Sequence, residues 1–252
     1  MKKLLISILL MLLIFTMGCG ERDDGESAAP TLSGTEAAVP YDIEAPVSNV
    51  ADALRFKIEY EDLNGDTRSN GEPFQILDIP NDNPVVYLNP EQTLNMMRSG
   101  TGVIYLGFSN CPWCRELVPM LLDTVNGEQL PLYYLNMQSL RDVMKLDDDG
   151  ELVIVEEGIP EYHDMVNILY NWLWEYIGLD EPAIKRIYVP TTVFVKNGII
   201  QNVHLATLEE NYRNGYIPLD EDQQKQVTDM LKDGLNKILD MSDCTETVAV
   251  GC

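Results

Sequence analysis

Residues 102–122 read GVIYLGFSNCPWCRELVPMLL, and this stretch is the strongest indication of the fold. A strand-like apolar run leads through Cys111 and Cys114 into a segment whose apolar residues have helical spacing. A strand that enters a helix in this way places Cys111 at the helix N-terminus, where unpaired N–H groups and the helix dipole stabilise a thiolate. Pro112 suits the first helical turn because its missing N–H is not needed there. We expect the cation of Arg115 to lower the pKa of Cys111 further. The pattern is typical of thiol–disulfide exchange.

A C-x-x-C pair can also be half of a zinc site or a permanently closed structural disulfide. Structural zinc sites take four ligands, but the sequence holds no second C-x-x-C pair. Its two histidines, His163 and His204, lie far from the pair without ligand-like spacing. We therefore predict no metal, and the structural disulfide stays open as an alternative.

A second marker lies nearer the C-terminus. The β-branched and aromatic run Ile187–Val195 is followed by Lys196-Asn197-Gly198 and by a second run, Ile199–Val203. Asn-Gly between two such runs indicates a β-hairpin. Pro190 lies inside the first run and needs a reason, because proline cannot donate a hydrogen bond to a strand ladder.

Together with the C-x-x-C pair, Pro190 and Pro119 resemble the thioredoxin superfamily. The resemblance implies an α/β, thioredoxin-like fold with a central mixed sheet flanked by helices. It also implies a cis proline at position 190 that faces the cysteines, with Val189 and Pro190 offering backbone groups to a bound substrate chain. Trp113 would then shape the exposed surface beside Cys111.

The resemblance covers roughly residues 100–140 and 185–240 and departs from the family pattern near the cysteines. Thioredoxins have a buried acid six residues before the first cysteine, where this chain has Tyr105. The family's tryptophan before the first cysteine is replaced by Asn110, and the dipeptide between the cysteines is Pro-Trp. These departures concern proton transfer and redox direction rather than the fold.

The N-terminus has the pattern of an export signal. Lys2-Lys3 precedes the apolar run Leu4–Phe15, which is too short for a membrane-spanning helix, so we assign residues 1–18 to a signal peptide. Thr16-Met17-Gly18-Cys19 resembles the bacterial lipobox, which implies that Cys19 becomes the lipidated first residue of the mature chain. Cleavage that leaves Cys19 unmodified is the alternative.

Composition and pattern divide the rest of the chain. Residues 20–48 are rich in Gly, Ala, Ser, Pro, Asp and Glu, and such a segment cannot bury enough apolar surface to order itself. The sequence predicts four parts after the signal peptide: a lipidated cysteine and disordered tether at 19–48, an N-terminal extension packed on the core at 49–98, a thioredoxin-like domain at 99–242 with a helical insertion at about 139–186 before the cis proline, and a C-terminal tail at 243–252.

The net charge and the two C-terminal cysteines indicate which partners and cross-links to expect. With 17 basic and 41 acidic residues the net charge is −24, which disfavours nucleic acid and anionic membrane surfaces as partners. Contact with the membrane is therefore expected through the lipid. In an exported chain, Cys244 and Cys252 predict a structural disulfide in the tail. The alternative is an accessory redox pair that exchanges with Cys111.

These observations predict a membrane-anchored thiol–disulfide oxidoreductase at the extracytoplasmic face of the bacterial cell membrane. Cys111 would attack and Cys114 would resolve the mixed disulfide. The partners would be protein thiols or disulfides and an unidentified redox partner, and no cofactor is expected because the disulfide itself holds the two electrons. The alternative is a non-catalytic binding lipoprotein with a structural Cys111–Cys114 disulfide.

Overall fold

The computed structural model describes residues 49–179, 181–213 and 215–239. The expected signal peptide, the tether with Cys19, and the tail with Cys244 and Cys252 lie outside the described residues. No helix in the described ranges is both long and apolar enough to cross a membrane.

Helices and strands alternate from residue 50 to residue 136, and two strand pairs and three helices follow. In chain order they are α1 (Val50–Glu61), β1 (Val85–Tyr87), α2 (Pro90–Ser99), β2 (Gly102–Gly107), α3 (Pro112–Gly127), β3 (Leu132–Asn136), β4 (Val143–Leu146), β5 (Leu152–Glu156), α4 (Pro160–Leu169), β6 (Thr191–Lys196), β7 (Ile199–Leu205), α5 (Glu209–Arg213) and α6 (Glu221–Leu239).

A five-stranded mixed sheet forms the centre, in the order β1-β3-β2-β6-β7. Strands β1 and β2 run parallel to β3, whereas β6 is antiparallel to β2 and β7 is antiparallel to β6. The chain crosses from β1 to β2 through α2 and returns from β2 to β3 through α3. Because such crossovers are right-handed, two crossovers in opposite directions place α2 and α3 on opposite faces of the sheet.

Helices α4 and α6 complete these two layers. Helix α4 contacts α2, and α6 contacts α3, β6 and β7. Gly234 allows α6 to approach β6 closely, since a Cβ atom at this position would overlap the ring of Phe194. The mixed sheet between two helical layers confirms the predicted thioredoxin-like fold class.

Local sequence signals explain several element boundaries. Asn89 and Gln92 form a reciprocal capping box at the start of α2, with Pro90 in the first turn. The β6–β7 turn is formed by Asn197 and Gly198, both with positive φ angles of 52° and 73°. Two left-handed residues match the twist of a tight hairpin, as the Asn-Gly pair predicted.

The expected extension at 49–98 includes one strand of the central sheet. Strand β1 pairs with β3 and α2 packs against the hairpin of β6 and β7, so the second half of the expected extension belongs to the core. Only the part before β1 is an addition to the sheet. It includes α1, which contacts β1 and contributes the fully buried Phe56 and Tyr60 to the core.

The expected insertion at about 139–186 contains a helix together with other structure. It contains the β4–β5 hairpin as well as α4, which ends at Leu169. Beyond it, Tyr176 donates its N–H to Ile184 at 2.8 Å, and the Arg186 N–H is 3.4 Å from the carbonyl oxygen of Trp174. Residues 174–176 and 184–186 thus pair in an antiparallel arrangement instead of continuing the helix.

Candidate active site

Strand β2 delivers the two cysteines to the start of α3, as the sequence predicted. Cys111 is the N-cap residue of α3, and its sulfur accepts the backbone N–H of Cys114 at 3.4 Å. Pro112 occupies the first turn. Both thiols are free; Cys111 is 5% exposed and Cys114 is fully buried. Only Cys111 therefore reaches the surface of the protein.

The proline loop lies directly against Cys111. The Val189–Pro190 peptide bond is cis, and the Cys111 thiol donates to the carbonyl oxygen of Val189 at 3.6 Å. The carbonyl oxygen of Pro190 instead accepts the N–H of Ala206 at 2.7 Å, which fixes the loop to the residue after β7. Of the two expected substrate-binding residues, Val189 thus faces the sulfur directly.

The two thiols have opposite pKa shifts. Burial, the largest influence, would raise the pKa of Cys111, but hydrogen bonds from the Cys114 thiol and from the N–H groups of Cys114 and Trp113 reverse this effect and lower it. Burial raises the pKa of Cys114 well above its ordinary value, and the hydrogen bond and negative charge of Cys111 raise it further. The arrangement therefore favours a thiolate at Cys111 and a thiol at Cys114.

The structure does not support the expected role of Arg115. Its fully buried guanidinium points to the segment before β1, where it donates to the carbonyl oxygens of Tyr60 at 2.5 Å and Gln75 at 3.1 Å, and to the Asn64 side chain at 2.7 Å. These hydrogen bonds link α3 to the N-terminal segment, so the Arg115 side chain has a structural role.

The cation that lowers the pKa of Cys111 is Arg141, which follows β3. Its guanidinium lies 5.1 Å from the ring centroid of Phe108. The Phe108 carbonyl oxygen in turn accepts the N–H of Cys111 at 3.4 Å. Sequence reasoning missed Arg141 because it lies thirty positions from Cys111 and no local motif marks it.

Behind Cys114, two tyrosine hydroxyls lie where thioredoxins have a buried acid. Tyr105 and Tyr60 are fully buried, and their hydroxyl oxygens are 2.8 Å apart. The Tyr105 hydroxyl is close enough to Cys114 for a side-chain hydrogen bond that lowers the pKa of this thiol, although burial dominates. Burial raises the pKa of both tyrosines well above 10, so both keep their protons. They can therefore act as hydrogen-bond donors, but not as bases.

The backbone makes room for this hydroxyl pair. Gly107 is two residues along β2 from Tyr105, and a Cβ atom at Gly107 would overlap the Tyr105 hydroxyl and ring. On the neighbouring strand, Tyr134 stacks on Tyr105 at a centroid distance of 5.3 Å. Tyr60 comes from α1, outside the segments that resemble the family, and sequence reasoning missed it.

Aromatic side chains cluster around Trp113, the residue between Pro112 and Cys114. We call Trp113, Trp174, Tyr188, Tyr212 and Tyr216 the aromatic cover. Ring centroids of Trp113 and Tyr212 are 4.9 Å apart, and Tyr212 lies 5.4 Å from both Trp174 and Tyr188. Trp113 is half-buried within this cover, and its indole N–H has no hydrogen-bond partner among the described residues.

Other candidate sites lie away from the cysteines. The described ranges contain no group of three or more His, Cys, Asp or Glu residues that could hold a metal ion. A cavity of about 770 Å³ lies beside β7 and α6, lined in part by Trp174, His204 and Met230, and the cysteines do not line it. His204 is buried, which lowers its pKa to about 4, so it is neutral near pH 7.

Comparison with solved structures finds similarity to thioredoxin O2 from Arabidopsis thaliana in the oxidised state. The TM-score is 0.31 with 17% identity, over 60% of this chain and 96% of that structure. No protein-family model matches the sequence, and no curated protein matches it. The strand order, the two helical layers and the proline loop beside the cysteines show that this chain has a thioredoxin-like fold.

Proposed function

We propose that this protein is a membrane-anchored, extracytoplasmic thiol–disulfide oxidoreductase that acts on protein thiols and disulfides through Cys111 and Cys114. The observation that supports this best is the asymmetry of the two sulfurs. Hydrogen bonds at the start of α3 and the cation of Arg141 lower the pKa of the sulfur that reaches the surface. The second sulfur is buried and keeps its proton. An attacking and a resolving thiol need these two states.

In the proposed reaction the Cys111 thiolate attacks one sulfur of a substrate disulfide. The substrate S–S bond breaks, the leaving thiolate takes a proton, and a mixed disulfide joins Cys111 to the substrate. Cys114 then loses its proton and attacks the Cys111 sulfur, which releases the second substrate thiol and leaves a Cys111–Cys114 disulfide. Two electrons have passed to the substrate, and a dithiol partner must return them. The same steps in reverse oxidise substrate thiols.

The step at Cys114 requires a thiolate in a fully buried position. An unpaired anion there would be costly, because burial removes its hydration. The Tyr105 hydroxyl can donate to this thiolate, while Tyr60 can donate to the Tyr105 oxygen at 2.8 Å. We assign these two hydroxyls the stabilisation of Cys114 during resolution. The proton that Cys114 loses can pass to the substrate thiolate displaced when the mixed disulfide forms, and the second substrate thiolate takes its proton from solvent.

Turnover tests the proposal directly. With dithiothreitol as the electron donor, the protein is expected to accelerate the reduction of insulin, and Cys111→Ser should abolish the acceleration. A chain that folds normally but shows no acceleration would favour the binding-lipoprotein alternative, which the near-complete burial of Cys111 supports.

Export and anchoring rest on the N-terminal sequence alone. We propose cleavage before Cys19 and its lipidation, with residues 20–48 as the tether. Cys19→Ala should move the protein from the membrane fraction to the soluble fraction of the expressing bacterium without loss of insulin reduction. Equal membrane retention of wild type and variant would contradict lipid anchoring. The disulfide between Cys244 and Cys252 stays a prediction.

A further inference from the structure

Arg141 is an unpaired cation at the candidate active site. Its side chain is partly buried, and its Nε atom is shielded from solvent. Within the described ranges its guanidinium makes no hydrogen bond and no ion pair, and it lies over the face of Phe108. A shielded Nε–H without an acceptor is costly, because this donor loses hydration and gains no hydrogen bond in return.

The neighbouring acid does not neutralise this charge. Asp142, the next residue, directs its carboxylate to Arg186, with 3.8 Å between Asp142 Oδ1 and Arg186 Nε. Arg186 also donates to the backbone carbonyl of Asp142 at 2.7 Å and lies over the ring of Tyr176 at 4.5 Å. The charge of Arg186 repels that of Arg141. A local positive charge thus persists in a chain whose net charge is −24.

The position of this charge links it to the reacting sulfur. Arg141 lies over Phe108, whose carbonyl oxygen accepts the N–H of Cys111, and it interacts electrostatically with Cys111 and with Tyr212 of the aromatic cover. The guanidinium therefore acts on the site where the Cys111 sulfur would attack a substrate disulfide. Any acceptor on the substrate close to its disulfide would meet free N–H donors there.

We propose that Arg141 forms an anion subsite that binds a carboxylate located next to the disulfide of the substrate. This inference rests on the proposed function and names its substrate class. A guanidinium can bind a carboxylate through two parallel hydrogen bonds, which gives both charge complementarity and orientation. The carboxylate has two possible sources: an acidic residue beside a cysteine in a polypeptide, or the acid group of a small disulfide.

Small disulfides of different charge test the subsite. The probes are 3,3′-dithiodipropionate with two carboxylates, the neutral bis(2-hydroxyethyl) disulfide, and the cationic cystamine. We expect the wild type to have the highest kcat/KM for dithiodipropionate. Arg141→Gln should lower the ratio of its kcat/KM to that of the neutral probe about tenfold, as loss of a charge-assisted hydrogen bond predicts. Since both probes react with the same Cys111, the ratio cancels any change in its pKa.

Two control variants test whether the effect depends on the position of the Arg141 charge and on its planar donor group. Arg98→Gln removes the same charge from an exposed ion pair with Asp164 and should leave the ratio unchanged. Arg141→Lys keeps the charge without the planar pair of donors and should retain part of the preference. A wild-type ratio near one, or equal ratios in wild type and Arg141→Gln, would overturn the subsite while turnover of the neutral probe would still support the proposed function.

A binding measurement tests the subsite without relying on turnover. In Cys111→Ser, which cannot react, dithiodipropionate should change the fluorescence of Trp113 at saturating concentration, and the added substitution Arg141→Gln should weaken the binding about tenfold. Unaltered binding after this substitution would overturn the subsite even in a protein without turnover.

Two disulfide peptides that differ only by Glu or Gln beside the cysteine identify the source of the carboxylate. A preference for Glu assigns the carboxylate to a polypeptide, whereas a preference confined to dithiodipropionate assigns it to a small disulfide.

Discussion

The inner side of the dithiol is built from tyrosine hydroxyls, whereas the outer side is built from an arginine and a backbone carbonyl. On the inner side Cys114 is fully buried next to Tyr105. On the outer side Cys111 donates to the Val189 carbonyl, and the cation of Arg141 acts on it. The surroundings of the C-x-x-C pair therefore make the pKa values of its two thiols different, since both cysteines belong to the same helical turn.

The largest effect is expected when one sulfur of the pair is removed. Cys114→Ala leaves the attacking thiolate but no resolving thiol, so mixed disulfides with substrates should accumulate in cells. Cys111→Ala leaves only the buried thiol and should trap few or none. Non-reducing gels followed by mass spectrometry measure the trapped species. Equal trapping by the two variants would show that the sulfurs are not distinguished as the structure indicates.

A smaller but still severe effect is expected on the inner side from Gly107→Ala. The added methyl group would overlap the Tyr105 ring inside the core, and overpacking of this kind costs about 1–3 kcal/mol in the free energy of unfolding. Gly127→Ala is the matched control, because Gly127 lies in α3 with open space around its Cβ position. Thermal unfolding should show a lower Tm for Gly107→Ala alone. Equal Tm values would mean that the hydroxyl pair does not need this space.

The two arginines sharpen the comparison further. Arg115→Met should lower the free energy of unfolding by about 3 kcal/mol, because it leaves several carbonyl oxygens without donors, yet it should leave the pKa of Cys111 nearly unchanged. Arg141→Gln should have the opposite pattern. It removes the cation that favours the thiolate, so the pKa of Cys111 should rise and the rate of alkylation at pH 7 should fall. Urea unfolding and iodoacetamide kinetics measure the two effects, and a raised pKa in Arg115→Met would restore the role that the sequence suggested.

The smallest expected effect comes from a single hydroxyl. Tyr105→Phe removes the donor that faces Cys114, so the resolving step should slow by roughly tenfold, as the loss of a hydrogen bond to a charged group predicts. Tyr134→Phe is the matched control, because the Tyr134 hydroxyl donates to Glu59 at 2.6 Å instead. Stopped-flow measurement of mixed-disulfide decay distinguishes the two, and equal decay rates would remove Tyr105 from the resolving step.

Short-range signals made part of this structure predictable. The strand-to-helix passage through Pro112 and the Asn197-Gly198 turn depend on residues adjacent in sequence, and both appear as expected. Arg115 donates to the N-terminal segment instead, because proximity along a helix does not determine where a long side chain finds acceptors. Tyr60 and Arg141 reach the site only through tertiary packing, and no local pattern marks either residue.

The central claim is that the surroundings divide the two thiols into an attacking and a resolving sulfur, and alkylation of the reduced protein against pH tests it most directly. Mass spectrometry resolves the two sites. The alkylation rate of Cys111 should rise with pH to a plateau. Because the pKa of Cys111 is lowered, the midpoint of this rise should lie below about 8.5, the pKa of a free thiol. The raised pKa of Cys114 predicts that this thiol stays unreactive throughout that range. A Cys111 midpoint at or above 8.5, or the same profile for both thiols, would contradict the account.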